Sequence, residues 1–497
     1  MGVIQRQGFK HSIVNFLGLA IGGASTLWLY PLVIGEYGIF QLILSAGVVA
    51  MPILALGANT VAIRFFPHFQ DKTSGHHGFL PFLFGLFLTG SLLAGGILLI
   101  SWDWLITWMP SQKASTLSNH LFQVIPIACL WVLSSLLSVY SFNFKRIVVP
   151  SILLDFSQKI TVPILLWMVY RCWLTLDQAI WGLLVHGILV FLGLLYYIHS
   201  IGQLHLKPDW RFFTPSLKRE LGRFILFSSL GTFSILIISK ADLFLVGSLM
   251  PIDNTGIYSI AVFLAAVIEV PTKSLYSASV SSVALHIANN DLGALESLYK
   301  KVSINLLCIG LLLFGALWIA IDDLYSIMQK TEIVANGKWV FFFIGLGKLA
   351  DMASGLNNYM IVYSPHYMRA LVPMGILATA NIAFGLYLIP AYGLMGAALS
   401  TFISILLYNT LSILIVWRKF KIFPFDPHTI LALALAFVVY LLVLIIPRIH
   451  GFPILNAALH VGPYLLGLGG LFLSLRVSSD LNDLARQLYG KWRSFLR

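Results

Sequence analysis

Continuous apolar runs recur along the whole chain with only short polar stretches between them, each about 20 residues long, the length of helix that crosses the hydrocarbon core of a bilayer. Backbone N–H and C=O groups in lipid must be paired internally, which leaves helices or closed barrels. Barrel strands would alternate apolar and polar positions over about 10 residues. These runs do not alternate, so helices are predicted. Composition agrees: 59% of residues are hydrophobic and 10% are charged, where a soluble globular chain carries about 25% charged residues. A water-soluble exterior cannot be built from so little charge.

Spans are predicted near 11–34, 39–63, 79–101, 120–142, 150–170, 176–200, 222–248, 254–283, 302–321, 339–362, 367–389, 393–417, 428–447 and 454–475. The fold class is therefore all-α integral membrane, with about 14 transmembrane helices. Of the 31 Lys and Arg, four lie well inside spans and five (Lys113, Arg171, Lys330, Lys338 and Arg448) in segments on one side, leaving 22 in the loops and at the span ends on the other. Basic loops stay cytoplasmic, so both termini are expected inside. The first apolar segment lacks a small-residue cleavage site and reads as an anchor. Cys129, Cys172 and Cys308 have no ligand spacing, which argues against a disulfide framework or a metal site. The net charge of +12 is not clustered with aromatics, so nucleic acid is not an expected partner. Membrane lipids are.

An internal repeat subdivides the chain. Glu36-Tyr-Gly-Ile-Phe-Gln-Leu-Ile follows the first span, and Asn254-Thr-Gly-Ile-Tyr-Ser-Ile-Ala follows the seventh. Each copy runs into a helix interrupted by proline, at Pro52 and Pro271. Six spans separate the copies, so both have the same orientation, as in parallel-repeat transporters. The predicted organisation is a six-helix bundle over 1–200, a cytoplasmic linker over 201–221 and a second six-helix bundle over 222–417. Accessory helices 13 and 14 follow over 418–477. Residues 478–497 form a basic tail whose Leu481, Leu484, Leu488, Trp492 and Phe495 recur at amphipathic spacing suited to an anionic leaflet.

Charges within spans are the candidate functional groups, because each costs on the order of 3 kcal/mol at the bilayer centre and needs a cavity or a partner. Lys159, Lys240, Lys273 and Lys348 are four such cations. Asp155 with Lys159, Glu269 with Lys273 and Lys348 with Asp351 are spaced to meet on one helix face. Lys240 and Asp242 are not. Lys348, Asp351, Gly355 and Asn358 form a polar stripe on the tenth span, and Glu269, Lys273 and Tyr276 another on the eighth. Asn59, Thr60 and Arg64 do so toward the inner end of the second. Together they imply a water-filled cavity that binds substrate through Arg64, Lys159, Lys240, Lys273, Lys348, Tyr276 and Asn358. The carboxylates Asp155, Asp242, Glu269 and Asp351 are charge partners or coupling groups. Lys binds phosphate well as a point charge, which suits an anionic amphiphile with a pyrophosphate head. His186 reads as a satisfied interior histidine.

Several stretches carry a resemblance: Glu36-Tyr-Gly-Ile-Phe with Ile63-Arg-Phe-Phe-Pro67, Ala241-Asp-Leu-Phe-Leu-Val-Gly247 before Thr255-Gly-Ile-Tyr, Asp351-Met-Ala-Ser-Gly-Leu-Asn357, and Tyr392-Gly-Leu-Met-Gly-Ala-Ala-Leu-Ser400. In their order across the spans, the chain resembles the polysaccharide flippases, O-antigen type, of the multidrug/oligosaccharidyl-lipid/polysaccharide exporter superfamily. The resemblance implies two six-helix bundles around a cationic cavity, plus two accessory helices. It further implies transport of undecaprenyl-pyrophosphate-linked oligosaccharide across the bacterial cytoplasmic (inner) membrane by alternating access. Polysaccharide polymerase and glycosyltransferases would be its pathway partners. No cofactor is expected beyond a proton or sodium ion for coupling. Two other functions compete. A cation-coupled multidrug antiporter of the same superfamily would have 12 spans and an acid-dominated cavity. A membrane polysaccharide polymerase or acyltransferase would need reactive groups on a sizeable loop, and no loop here is long enough. The protein is not expected to be an enzyme.

Overall fold

Backbone groups inside hydrocarbon have no water to bond, and the chain meets that demand with helices; among the described residues there is no strand. The structure is a computed structural model that describes residues 14, 16–71, 74–108, 111–144, 146–449, 451–483 and 486. At positions 98, 101–108, 111–122, 227, 230–239, 273, 274, 277, 278 and 281 it describes the backbone alone. Ten helical stretches among the described residues are long and apolar enough to cross a membrane, and Phe16–Leu29 and Pro427–Val443 are shorter apolar helices. At least part of every predicted span falls on helix. Apolar side chains such as Ile100, Tyr196, Tyr387, Ile445 and Leu466 are exposed, as a surface solvated by lipid requires. The chain is a multi-pass membrane protein. It divides into two compact units, Met1–Gly256 and Ile257–Arg497, so the first includes the seventh predicted span.

In the first unit α1 (Phe16–Leu29) is followed by α2 (Ile34–Ala55), α3 (Ala58–Arg64), α4 (Phe79–Trp108) and α5 (Ser111–Phe142). Then come α6 (Val148–Tyr170), α7 (Leu176–Ser200) and α8 (Pro215–Leu249). The unit ends at the start of α9 (Ile252–Ala266). Helix α2 packs against α4, α5 and α8, and α5 against α7. The predicted second span is not continuous. Leu56 (φ 44°) and Gly57 (φ 69°) are left-handed, and the Leu56 N–H donates to the Pro52 carbonyl, which ends α2 before α3 begins. A Cβ on Gly57 would collide with the Ser228 hydroxyl of α8, so only glycine fits the bend. Below it, Phe65, Phe66, Phe69, Phe79 and Tyr140 are buried in one aromatic core.

A left-handed loop clasps the polar stretch 201–221. Gly75, His76, His77 and Gly78 all have positive φ, from 48° to 68°, a conformation that non-glycine residues rarely adopt. Interactions beyond the loop hold it there. His76 Nδ1 accepts from the Asp71 N–H at 3.2 Å, and its Nε2 meets Gln203 Oε1 at 2.8 Å. His77 lies 3.2 Å from Asp209 and 3.6 Å from Asp71, with its ring stacked 4.0 Å from that of Phe212.

The second unit begins within α9, whose span continues through a 3₁₀ turn at Val267–Glu269 into α10 (Val270–Ala288). Then follow α11 (Leu292–Ile327), α12 (Lys338–Ser354), α13 (Asn357–Val362), α14 (Leu371–Phe420), α15 (Pro427–Val443) and α16 (Pro453–Ser474). Helix α14 covers the eleventh and twelfth predicted spans and changes direction at Gly393 (φ 60°, ψ −136°). Helices α15 and α16 pack against α11. There the Tyr464 hydroxyl donates to the Leu311 carbonyl at 2.9 Å and lies where Gly315 has no side chain. At the end of α11, Asp322 binds Lys338 at 2.7 Å and Arg448 at 3.6 Å. Of the predicted amphipathic tail, Leu481 packs onto the core of this unit. Leu484, Leu488, Trp492 and Phe495 lie outside the described residues.

Candidate functional site

A cluster of polar side chains inside the spans of the second unit is built around a helix break. Helix α12 stops because Gly355 adopts φ 61° and ψ −126°, a region closed to residues with a Cβ. A Cβ there would also strike the Ser303 hydroxyl. The chain restarts as α13 at Asn357. The predicted stripe of Lys348, Asp351, Gly355 and Asn358 on one regular helix is therefore corrected: Lys348 and Asp351 precede the break, and Asn358 follows it. The break frees the Gly355 carbonyl, which accepts a hydrogen bond from the Tyr276 hydroxyl of α10 at 2.9 Å.

Around this break the side chains form two linked sets. Lys348 makes an ion pair with Glu269, which closes the 3₁₀ turn before α10. Glu269 was expected to meet Lys273 on its own helix; its ion-pair partner is Lys348 from α12, and the Lys273 side chain lies outside the described residues. Asp351 lies within electrostatic reach of both Glu269 and Lys348. It accepts from Asn409 Nδ2 at 3.1 Å, and Asn409 Oδ1 accepts from Asn357 Nδ2 at 3.0 Å. The Tyr276 and Tyr359 rings stand 5.2 Å apart, and with Tyr408 they lie within electrostatic reach of Asp351.

Asn357 and Asn409 escaped the sequence reading, although both are buried. The available signal was a polar amide within the apolar run of α14. An amide in lipid needs partners, and here the amides are partners for a carboxylate. Asn358, which was predicted, donates its backbone N–H to the Asn357 side chain at 2.5 Å.

The predicted residues of the first unit stand on three different helices. Arg64 ends α3 and places its guanidinium 4.4 Å from the centre of the Phe224 ring, a cation–π contact. Asn59, from the same predicted stripe, donates to Ser135 at 2.9 Å. Lys159 and Asp155 are exposed on α6. Asp155 lies in a π turn over Ile152–Phe156, and the Lys159 stem runs across Gly18, where an added Cβ would come within 2.8 Å of it. On α8, Asp242 is buried, accepts from the Leu243 N–H at 2.7 Å and acts electrostatically on Lys240 despite the two-residue spacing.

Comparison with known proteins adds the fold class. No protein-family model matches the chain, and no curated protein matches it. Solved structures do. One described as the lipid II flippase MurJ in an inward closed conformation superposes with a TM-score of 0.73 at 13% identity, covering 94% of this chain and 99% of that one. An inward-facing multidrug resistance MATE family transporter of the MOP superfamily gives a TM-score of 0.61 at 14% identity, covering 81% and 94%. A MOP superfamily transporter from Pyrococcus furiosus gives 0.50 at 14% identity, covering 84% and 96%. The chain has the MurJ/MATE-like transporter fold.

Proposed function

We propose that this protein is a flippase that moves an undecaprenyl-pyrophosphate-linked oligosaccharide across the bacterial cytoplasmic membrane by alternating access, for lipopolysaccharide or another surface polysaccharide. The observation that carries the reading is the Lys348–Glu269 ion pair beside Asp351 at the Gly355 break. A cation at membrane depth that is held by a carboxylate can exchange that partner for the phosphate of an arriving lipid. The released carboxylate, together with Asp351, is then free to take a proton or a sodium ion, which couples transport to an ion gradient. Likeness to a structure described as a lipid II flippase supports a lipid-linked cargo. Both termini are assigned to the cytoplasm from the Lys and Arg bias of the loops. The polymerase and glycosyltransferases of the same route are the expected pathway partners, and no bond is made or broken by the protein itself.

The test compares cells with and without the gene. Loss should trap lipid-linked oligosaccharide in the inner leaflet, where an impermeant oxidant of sugars does not reach it. Efflux of fluorescent cationic dyes with no trapped lipid-linked sugar would instead make the protein a multidrug antiporter, the reading that the MATE likeness suggests.

A further inference from the structure

We infer that the first unit contains a binding pocket for a neutral, hydroxyl-rich ring, a sugar residue of the cargo, formed by Trp131, Ser134, Gln158 and His186. The pocket lies among α2, α5, α6 and α7 and opens at one mouth, and Leu44, Leu154 and Leu183 are among its apolar walls. None of the residues lining it is an acid, a lysine or an arginine. A phosphate or an ammonium group would find no counter-charge there.

One of its polar groups has no partner. Ser134 is 1% exposed, and its hydroxyl has no hydrogen-bond partner. Ser45 returns its hydroxyl to the Leu42 carbonyl and Ser157 returns its own to Leu153, whereas the hydroxyl of Ser134, like those of Ser229 and Ser248 elsewhere in this unit, has no such partner. A hydroxyl withheld from that bond is available to another partner. His186 Nε2 meets the Ser157 hydroxyl oxygen at 2.9 Å. The single hydroxyl proton of Ser157 goes to Leu153 at 2.5 Å, so Nε2–H is the donor and Nδ1 remains an acceptor. The residues lining the pocket thus carry an imidazole acceptor, a hydroxyl, an amide and an indole. That mixture, uncharged and half aromatic, matches a pyranose, whose C–H face stacks on a ring while its hydroxyls both give and take hydrogen bonds.

The inference rests on the flippase reading for the source of the sugar, and its test is separate. The full-length protein in lipid nanodiscs is titrated with methyl glycosides of glucose, galactose, mannose, rhamnose and N-acetylglucosamine, and saturation-transfer NMR reads the ring protons. At least one glycoside should receive saturation. Ser134→Ala and Gln158→Leu should each weaken its binding about five-fold, the order of one neutral hydrogen bond, and Trp131→Leu should abolish it. Monodispersity and thermal unfolding of each variant separate lost binding from lost folding. Saturation of no glycoside, or equal saturation in folded variants, overturns the inference and leaves a pocket that holds water alone. If glycosides bind through these side chains while cells without the gene trap no lipid-linked sugar, the pocket stands and the flippase reading fails.

Discussion

Gly38 and Gly256 lie 218 positions apart in the sequence, and each is pressed against the backbone carbonyl four residues before the other: Gly38 against Ile252, Gly256 against Ile34. The two glycines of the repeat thus face one another in a reciprocal contact. The first turns of α2 and α9 cross where neither has a side chain, so their backbones meet directly. Gly38→Ala or Gly256→Ala should each lower stability by about 1–3 kcal/mol through overpacking. The two penalties should fall short of adding, because one separation of the helices relieves both clashes. Thermal unfolding of the purified variants measures this; unchanged melting in both would disprove the close crossing.

Lys348→Ala should abolish export while leaving membrane insertion and abundance intact. It strands Glu269 and removes the cation proposed to receive phosphate. Glu269→Gln alone should impair export less, since Lys348 keeps its charge. Normal export in the Lys348 variant, measured by appearance of polysaccharide at the cell surface, would reduce the ion pair to a packing device.

The Gly355 break makes a prediction about geometry alone. Gly355→Ala should cost about 1–3 kcal/mol from backbone strain and more from the collision with Ser303. Adding Ser303→Ala should recover the second part and not the first. Equal stability of the single and double variants would show that the hydroxyl does not limit the turn.

Asn409→Leu should destabilise the second unit by about 1–3 kcal/mol, because it leaves the amide of Asn357 and an oxygen of Asp351 short of a bond. Asn409→Asp should be worse for transport than for folding, since it sets a second carboxylate beside Asp351. Melting temperature and export rate, measured side by side, distinguish the two.

Orientation is testable with the native cysteines. Cys172 is exposed in the turn after α6, and Cys308 is buried. With both termini in the cytoplasm, a membrane-impermeant maleimide added outside intact cells should label Cys172. Labelling only after the cytoplasmic membrane is opened would invert the topology.

How far the sequence speaks depends on the range of the interaction involved. Helices were legible because lipid demands them residue by residue. Lys348, Asp351, Glu269 and Tyr276 were legible as polar groups out of place in apolar runs. Their pairing was not. Lys348 takes its partner from another helix rather than from Asp351 on its own, a choice made by tertiary packing. The break at Gly355 was hidden because no proline marks it and a glycine is common within membrane helices. Asn409 showed no partner until folding brought α14 beside α12.

The clasp of His76 and His77 on the stretch after α7 also sets a schedule for biosynthesis. His76 and its partner Gln203 are separated by 127 residues. A ribosome adding about 5–20 residues per second needs on the order of ten seconds to make that interval. For that time the left-handed loop has no strap to hold, and its two histidines have no reason to keep positive φ. The first unit can therefore complete this clasp only after its sixth predicted span has been synthesised. A substitution that weakens the clasp, such as Gln203→Ala, would be felt first as slower maturation of the newly made chain, before any change appeared in the finished protein.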